Sequence, residues 1–111
     1  PFFMQSQAAV AKGRGEIIDP VAPLDALDGK SLLLVRPGFG VPTPWAYQGL
    51  AKFPRAKNRP LGQANELAKN LANSSLTEVG DAFYNSLEAP VFDKFPLLKL
   101  IQSHAQNCRN R

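Results

Sequence analysis

The chain has little of the residue types that most often carry chemistry. Its 111 residues include one cysteine (Cys108), one histidine (His104), one methionine (Met4) and one tryptophan (Trp45). A lone cysteine cannot close an internal disulfide, which points to a reducing, cytoplasmic setting. His104 and Cys108 are four apart and could share a helix face, but a metal needs three or four ligands and no others lie nearby. Both are read as incidental surface residues, with no metal site. A Cys–His nucleophile pair would also lack an orienting partner and an oxyanion donor. No apolar run approaches the ~20 residues of a membrane-spanning helix, and the front lacks the basic, apolar, small-residue order of a signal peptide. Charge of one sign is scarce too. Thirteen Lys and Arg against nine Asp and Glu leave a net +4, with 20% charged and 44% hydrophobic residues, which is ordinary for a soluble globular chain. The cations gather only at Lys52, Arg55, Lys57 and Arg59, in a stretch bounded by Phe53-Pro54 and Arg59-Pro60. With Phe53 as the only aromatic there, the stretch reads as a solvated loop, the alternative being a neighbouring anionic ligand.

The pattern that is present changes along the chain. The opening Pro1-Phe2-Phe3-Met4 reads as the interior of an element, so the front looks cut. Ala8–Ala11, a Gly13-Arg14-Gly15 turn and Glu16–Asp19 before Pro20 predict a β-hairpin ending at an edge. Ser31-Leu32-Leu33-Leu34-Val35, stopped by Pro37-Gly38, predicts a buried central strand, giving strands near 8–12, 15–20 and 31–36. Thr43-Pro44 then predicts a helix start, with the Thr43 hydroxyl capping and Pro44 first in the helix. Leu67, Ala68 and Leu71 mark a second helix, and Ser75-Leu76-Thr77-Glu78 has capping-box spacing. From there Leu76, Val79, Phe83 and Leu87 form a helical stripe, punctuated by Pro90 and Pro96, before a last amphipathic stretch at Leu97, Leu98, Ile101 and Ala105. Strands first and helices second predict an α+β chain, with a change of character near residue 42.

Few motifs carry chemistry. Gly13-Arg14-Gly15-Glu16 and Pro37-Gly38-Phe39-Gly40 match neither phosphate-binding pattern, and the first leads into a strand where a phosphate loop would open a helix. Asp25 and Asp28 fall in a connection, and Glu78 and Asp81 are helix-start charges favoured by the dipole. Glu88 lies where the dipole does not favour it, and positioning its neighbour Asn85 is one role open to it. Pro42-Thr43-Pro44-Trp45-Ala46-Tyr47 is the most informative segment, because it gathers side chains where a strand turns into a helix. Its aromatics can be core anchors, the reading composition favours, or a flat face for a nucleobase.

Pro1-Phe2-Phe3, Ala8-Ala9, Gly13-x-Gly15-Glu16, Leu33-Leu34-Val35-x-Pro37 and Thr43-x-x-Ala46-Tyr47 fall in one order and spacing, followed by Asn85–Val91 and Phe95-Pro96. In this the chain resembles the 4-diphosphocytidyl-2-C-methyl-D-erythritol kinase family of the GHMP kinase superfamily. The likeness covers nearly the whole chain and is strongest over residues 1–50; the tail Asn107 to Arg111 does not share it. The resemblance implies a fold in which residues 1–42 end an N-terminal domain of antiparallel strands and residues 43–111 give the helical start of a ferredoxin-like C-terminal domain. It implies an ATP- and Mg²⁺-dependent kinase of non-mevalonate isoprenoid (terpenoid) biosynthesis in the bacterial cytoplasm. Phosphoryl transfer to a substrate hydroxyl would use an aspartate base, a lysine and a glycine-rich phosphate loop. By the same likeness those groups lie before Pro1, and a further Gly-Ser-Gly segment after Arg111, so no catalytic residue is expected within the chain. It is expected to be inactive alone and to bind no cofactor tightly. What the likeness leaves here is a substrate surface: Tyr47 stacking on the cytosine, Pro44 against the same ligand, and Thr43 lining the pocket. The expected partner is thus a small cytidyl molecule, with neither nucleic acid nor membrane. The alternative is a small basic stand-alone module binding RNA or protein through Lys52–Arg59. A homoserine or mevalonate kinase is a third option, opposed by Thr43-x-x-Ala46-Tyr47, since those relatives bind no cytidine.

Overall fold

The computed structural model describes residues 6–109. The opening Pro1–Met4 segment and the last two residues of the tail lie outside the described residues. The chain divides into two compact units, one of residues 6–34 and 60–84, the other of residues 35–59 and 85–109. The class is α+β, as the sequence predicts: a two-stranded antiparallel sheet and six α-helices among the described residues.

In the first unit, β1 (Ala9–Lys12) pairs with β2 (Ile17–Pro20), with Val10 opposite Asp19 and Ala11 opposite Ile18. The hairpin forms where predicted because its turn can take left-handed backbone: Gly13 has φ +66° and Gly15 φ +98°. Gly15 N–H donates to the Lys12 carbonyl at 3.0 Å, and a Lys12–Asp19 ion pair ties the two strands. A 3-10 turn at Asp25–Leu27 and β1 both pack against α3 (Gln63–Asn73), which enters from Gly62 at φ +86°. Next comes α4 (Leu76–Val79), opened by a complete capping box. Ser75 N–H donates to the Glu78 carboxylate at 2.7 Å, and Glu78 N–H donates back to the Ser75 hydroxyl at 3.4 Å. Among the described residues of this unit Val10, Leu71 and Val79 are the buried apolar side chains, and each comes from a different element.

Two expectations fail in this part of the chain. Ser31–Val35 forms no strand: Leu32, Leu33, Leu34 and Val35 are 84, 79, 82 and 56% exposed. The physical reason is the lack of a partner. A strand exists through its ladder, and among the described residues no backbone group of this run is hydrogen-bonded. The stripe from Leu76 to Leu87 is not one helix either. It breaks after Val79 into a 3-10 turn at Gly80–Ala82, leaving Phe83 49% exposed, because the flexible Gly80 follows only one helical turn.

The second unit is helical. It holds α1 (Thr43–Gly49), a 3-10 turn at Leu50–Lys52, α2 (Pro54–Lys57), α5 (Glu88–Lys94) and α6 (Pro96–Arg109). α1 starts where the sequence predicts, but its cap differs. Pro42 holds the cap position, Thr43 is already helical and makes no capping bond, and Pro44 falls one place later. Pro90 sits inside the first turn of α5, where its missing N–H has no helical partner to lose, so it does not end the helix. Part of the tail, Asn107 to Arg109, continues α6. α1 and α5 pack together with Ala46 and Pro90 buried, and α6 packs on α5.

Candidate functional site

A helix advances 100° per residue, so α1 has two chemically different faces. Trp45, Ala46 and Gly49 fall within one arc, while Thr43, Pro44 and Tyr47 fall within the opposite one. The first arc is packed. Ala46 is 3% exposed, and the Trp45 ring meets Phe95 edge-on at 6.0 Å between centroids. Phe95 in turn stacks on Phe39 at 5.0 Å and 23°. The Lys94 ammonium lies 4.7 Å from the Trp45 ring centroid, within range of a cation–π attraction. Gly49 is a point of close approach, since a Cβ there would stand 3.0 Å from the Pro90 Cβ.

The opposite arc is open. Thr43 and Pro44 are exposed, and Tyr47 is 62% exposed on a helix whose other face is buried. The three residues singled out in the sequence therefore share one face. Of the two aromatics, Trp45 is the core anchor, while Tyr47 presents its ring to solvent.

Sequence reading missed a groove on the packed side, about 340 Å³ in volume and lined by Trp45, Gly49, Lys52, Phe53, Pro90, Asp93 and Lys94. Nothing in spacing or composition signals it, because its walls come from three separate helical segments. Glu88 opens α5, where the helix dipole does favour it, and meets Asn85 through the backbone, its N–H donating to the Asn85 carbonyl at 3.1 Å. Its carboxylate accepts a hydrogen bond from the Gln102 amide at 3.0 Å, joining α5 to α6, while the Asn85 side chain accepts from Leu87 N–H at 3.0 Å and supports the start of α5.

The residues described do not fit a nucleotide phosphate or its metal. The Gly13–Gly15 turn feeds a strand, and its Arg14 N–H already donates to the Glu16 carboxylate. Among the described residues no group of three or more His, Cys, Asp or Glu could hold an ion. His104 and Cys108 are both exposed on α6. The basic residues Lys52, Arg55, Lys57 and Arg59 are exposed, while Phe53 is half-buried, forming a wall of the groove. No helix among the described residues is long and apolar enough to cross a membrane.

No family profile matches the chain, and no solved structure matches it. Curated proteins do. A 4-diphosphocytidyl-2-C-methyl-D-erythritol kinase of Methylacidiphilum infernorum is 34% identical over 108 residues, covering 94% of this chain and 32% of the relative. The kinase of the same name from Thermodesulfovibrio yellowstonii is 32% identical over 114 residues, covering 96% and 39%. A chloroplastic one from Oryza sativa is 32% identical over 103 residues, covering 92% and 24%. The chain spans about a third of the length of the bacterial relatives it matches. Nearly all of this chain, then, is similar in sequence to one stretch of the 4-diphosphocytidyl-2-C-methyl-D-erythritol kinases.

Proposed function

We propose that the chain is part of an ATP-dependent kinase that phosphorylates a hydroxyl of 4-diphosphocytidyl-2-C-methyl-D-erythritol for non-mevalonate isoprenoid synthesis, and that the open face of α1 is its contribution to the substrate pocket. In this reading residues 1–42 close one domain and residues 43–111 begin the next. Tyr47 stacks on the cytosine, Pro44 lies against the same base, and Thr43 lines the pocket. The observation that carries the reading is the split character of α1. A tyrosine 62% exposed beside a buried face supports a ring kept for a ligand and speaks against a core anchor.

The phosphate-binding and proton-accepting groups are assigned to parts of the parent kinase outside this chain, since the described residues do not fit ATP or Mg²⁺. No step of the transfer is therefore derived from residues of this chain, whose task is to hold and orient the cytidyl end.

The test is kinetic and uses the full-length kinase. Tyr47→Ala is expected to raise KM for the cytidyl substrate by the equivalent of ~1–3 kcal/mol, the range of a lost base stack, and to leave KM for ATP unchanged. Tyr47→Phe keeps the ring and is expected to behave like the parent. The 111-residue chain alone, given ATP, Mg²⁺ and substrate, is expected to show no turnover. An unchanged substrate KM in Tyr47→Ala would remove Tyr47 from the pocket, and turnover by the chain alone would show the chemistry to lie within it.

A further inference from the structure

We propose that the groove on the packed side of α1 is a binding site for a small planar aromatic monoanion, a single ring carrying a carboxylate. The proposal goes beyond the reading of Tyr47, which lies on the opposite arc of the same helix. The groove belongs wholly to the second unit. Trp45 comes from α1, Phe53 from the residue after the 3-10 turn, and Pro90 and Lys94 from α5. Gly49 lets these walls meet, since any side chain there would press on the Pro90 ring. At about 340 Å³ the groove stands at the small end of the range of ligand sites, with room for one compact molecule.

Ring surface and charge together select the occupant. Trp45 and Phe53 are both half-buried, so each keeps part of its ring in the groove. Phe53 meets no other aromatic ring among the described residues. Two ammonium groups, Lys52 and Lys94, face the groove against one carboxylate, Asp93, and Arg55 and Lys57 stand exposed on α2 just beyond Phe53. Neither Lys52 nor Asp93 has an ion-pair partner among the described residues. Lys94 is held 4.7 Å from the Trp45 ring centroid, which sets a cation beside ring surface. An ammonium has three N–H donors, more than one indole face engages, so Lys94 can still donate to an anionic oxygen. Asp93 repels a dianion such as an aryl phosphate, and it can accept a hydrogen bond from a hydroxyl on the ring. A hydroxyl-bearing aryl carboxylate answers both.

The test is isothermal titration calorimetry of the full-length protein with 4-hydroxybenzoate as the probe. A Kd on the order of 0.1–1 mM is expected, the range that about ten heavy atoms reach in a shallow site. The neutral 4-hydroxybenzamide is expected to bind about tenfold more weakly, as is the probe to Lys52→Gln or Lys94→Gln, each having lost a charge-assisted hydrogen bond. Lys94→Arg keeps the cation over the indole and is expected to bind like the parent, which separates lost charge from lost folding. Asp93→Asn is expected to bind plain benzoate more tightly than the parent does and to lose the preference for the hydroxyl. Tyr47→Ala is expected to leave probe binding unchanged, whatever it does to the kinase. No heat of binding at millimolar probe, equal binding of the amide, or full affinity in both lysine-to-glutamine variants would each overturn the proposal. So would a loss in Tyr47→Ala, which would merge the two faces into one site. Tighter binding of an acidic tyrosine-containing peptide than of the probe would also overturn it, in favour of a protein partner.

Discussion

In the hairpin, Ala9–Lys12 and Ile17–Pro20 exchange backbone hydrogen bonds, and Val10 is 8% exposed. Along Leu32–Val35, in a stretch at least as apolar, the side chains face solvent and the backbone groups have no partner among the described residues. The same contrast recurs within α1, where Trp45 packs against Phe95 and Tyr47 stands clear. Side chains whose needs are met within a unit should govern that unit's stability. Side chains left unmet should govern what the chain binds.

The hardest test of that division is in the first unit. Leu71, 3% exposed, is expected to cost ~2–4 kcal/mol on truncation to alanine, the usual range for a buried leucine. Leu33→Ala in the same 111-residue chain should cost less than ~0.5 kcal/mol, as surface changes do. Urea unfolding of the two variants measures the difference, and comparable losses would break the comparison.

Within α1 the expected gap is somewhat smaller. Trp45→Ala removes a half-buried ring together with its contacts to Phe95 and Lys94, and should lower stability by ~2–3 kcal/mol. Tyr47→Ala should stay within ~0.5 kcal/mol when both variants are unfolded in urea. A Tyr47 loss matching that of Trp45 would make both aromatics anchors.

A finer probe is Gly49→Ala. The added methyl gains helix propensity but meets the rigid Pro90 ring at 3.0 Å, so α1 and α5 must part slightly. A net loss of about 1 kcal/mol is expected in urea unfolding, and a gain would show that the helices can give way.

The smallest effect is electrostatic. Hydrogen bonds from the Ser75 backbone N–H, and secondarily from its hydroxyl, hold the exposed Glu78 carboxyl below its ordinary value. A lowered folded-state value means the contribution is present above the unfolded value and is lost as pH falls through the folded one. The advantage of the parent over Glu78→Gln should therefore be present at neutral pH and fade in acid through and below the usual carboxylate range. Urea midpoints measured across that range should converge, and a gap constant with pH would dismiss the carboxylate's part in the cap.

Local rules were legible in the sequence where local atoms satisfy them. The hairpin needed two glycines able to take positive φ, and the capping box needed only Ser75 and Glu78 three residues apart. The α1 start was legible to within one position, because a proline fixes the first turn without fixing which neighbour caps it. What escaped depends on distant partners. The apolar period of Leu76–Leu87 says nothing about whether a helix can persist through Gly80, and Leu32–Val35 reads as a strand whether or not neighbours are present. At the site, Thr43, Pro44 and Tyr47 stood out through their spacing and resemblance. The groove by Trp45 did not, since Lys52, Phe53, Asp93 and Lys94 meet only after folding.

The flanks of the exposed run bear on how the chain survives being made. A short, uncharged, proline-free apolar segment is the kind that stacks with its own copies into cross-β fibrils. Here Lys30 stands immediately before Ser31, and Arg36 and Pro37 immediately after Val35. Stacked in register, each copy would set a lysine and an arginine against those of the copies above and below, and the proline would deny the ladder a donor at its end. Such flanking residues act as gatekeepers. They let a sequence keep a strongly apolar run open to solvent while slowing its aggregation from the moment it leaves the ribosome.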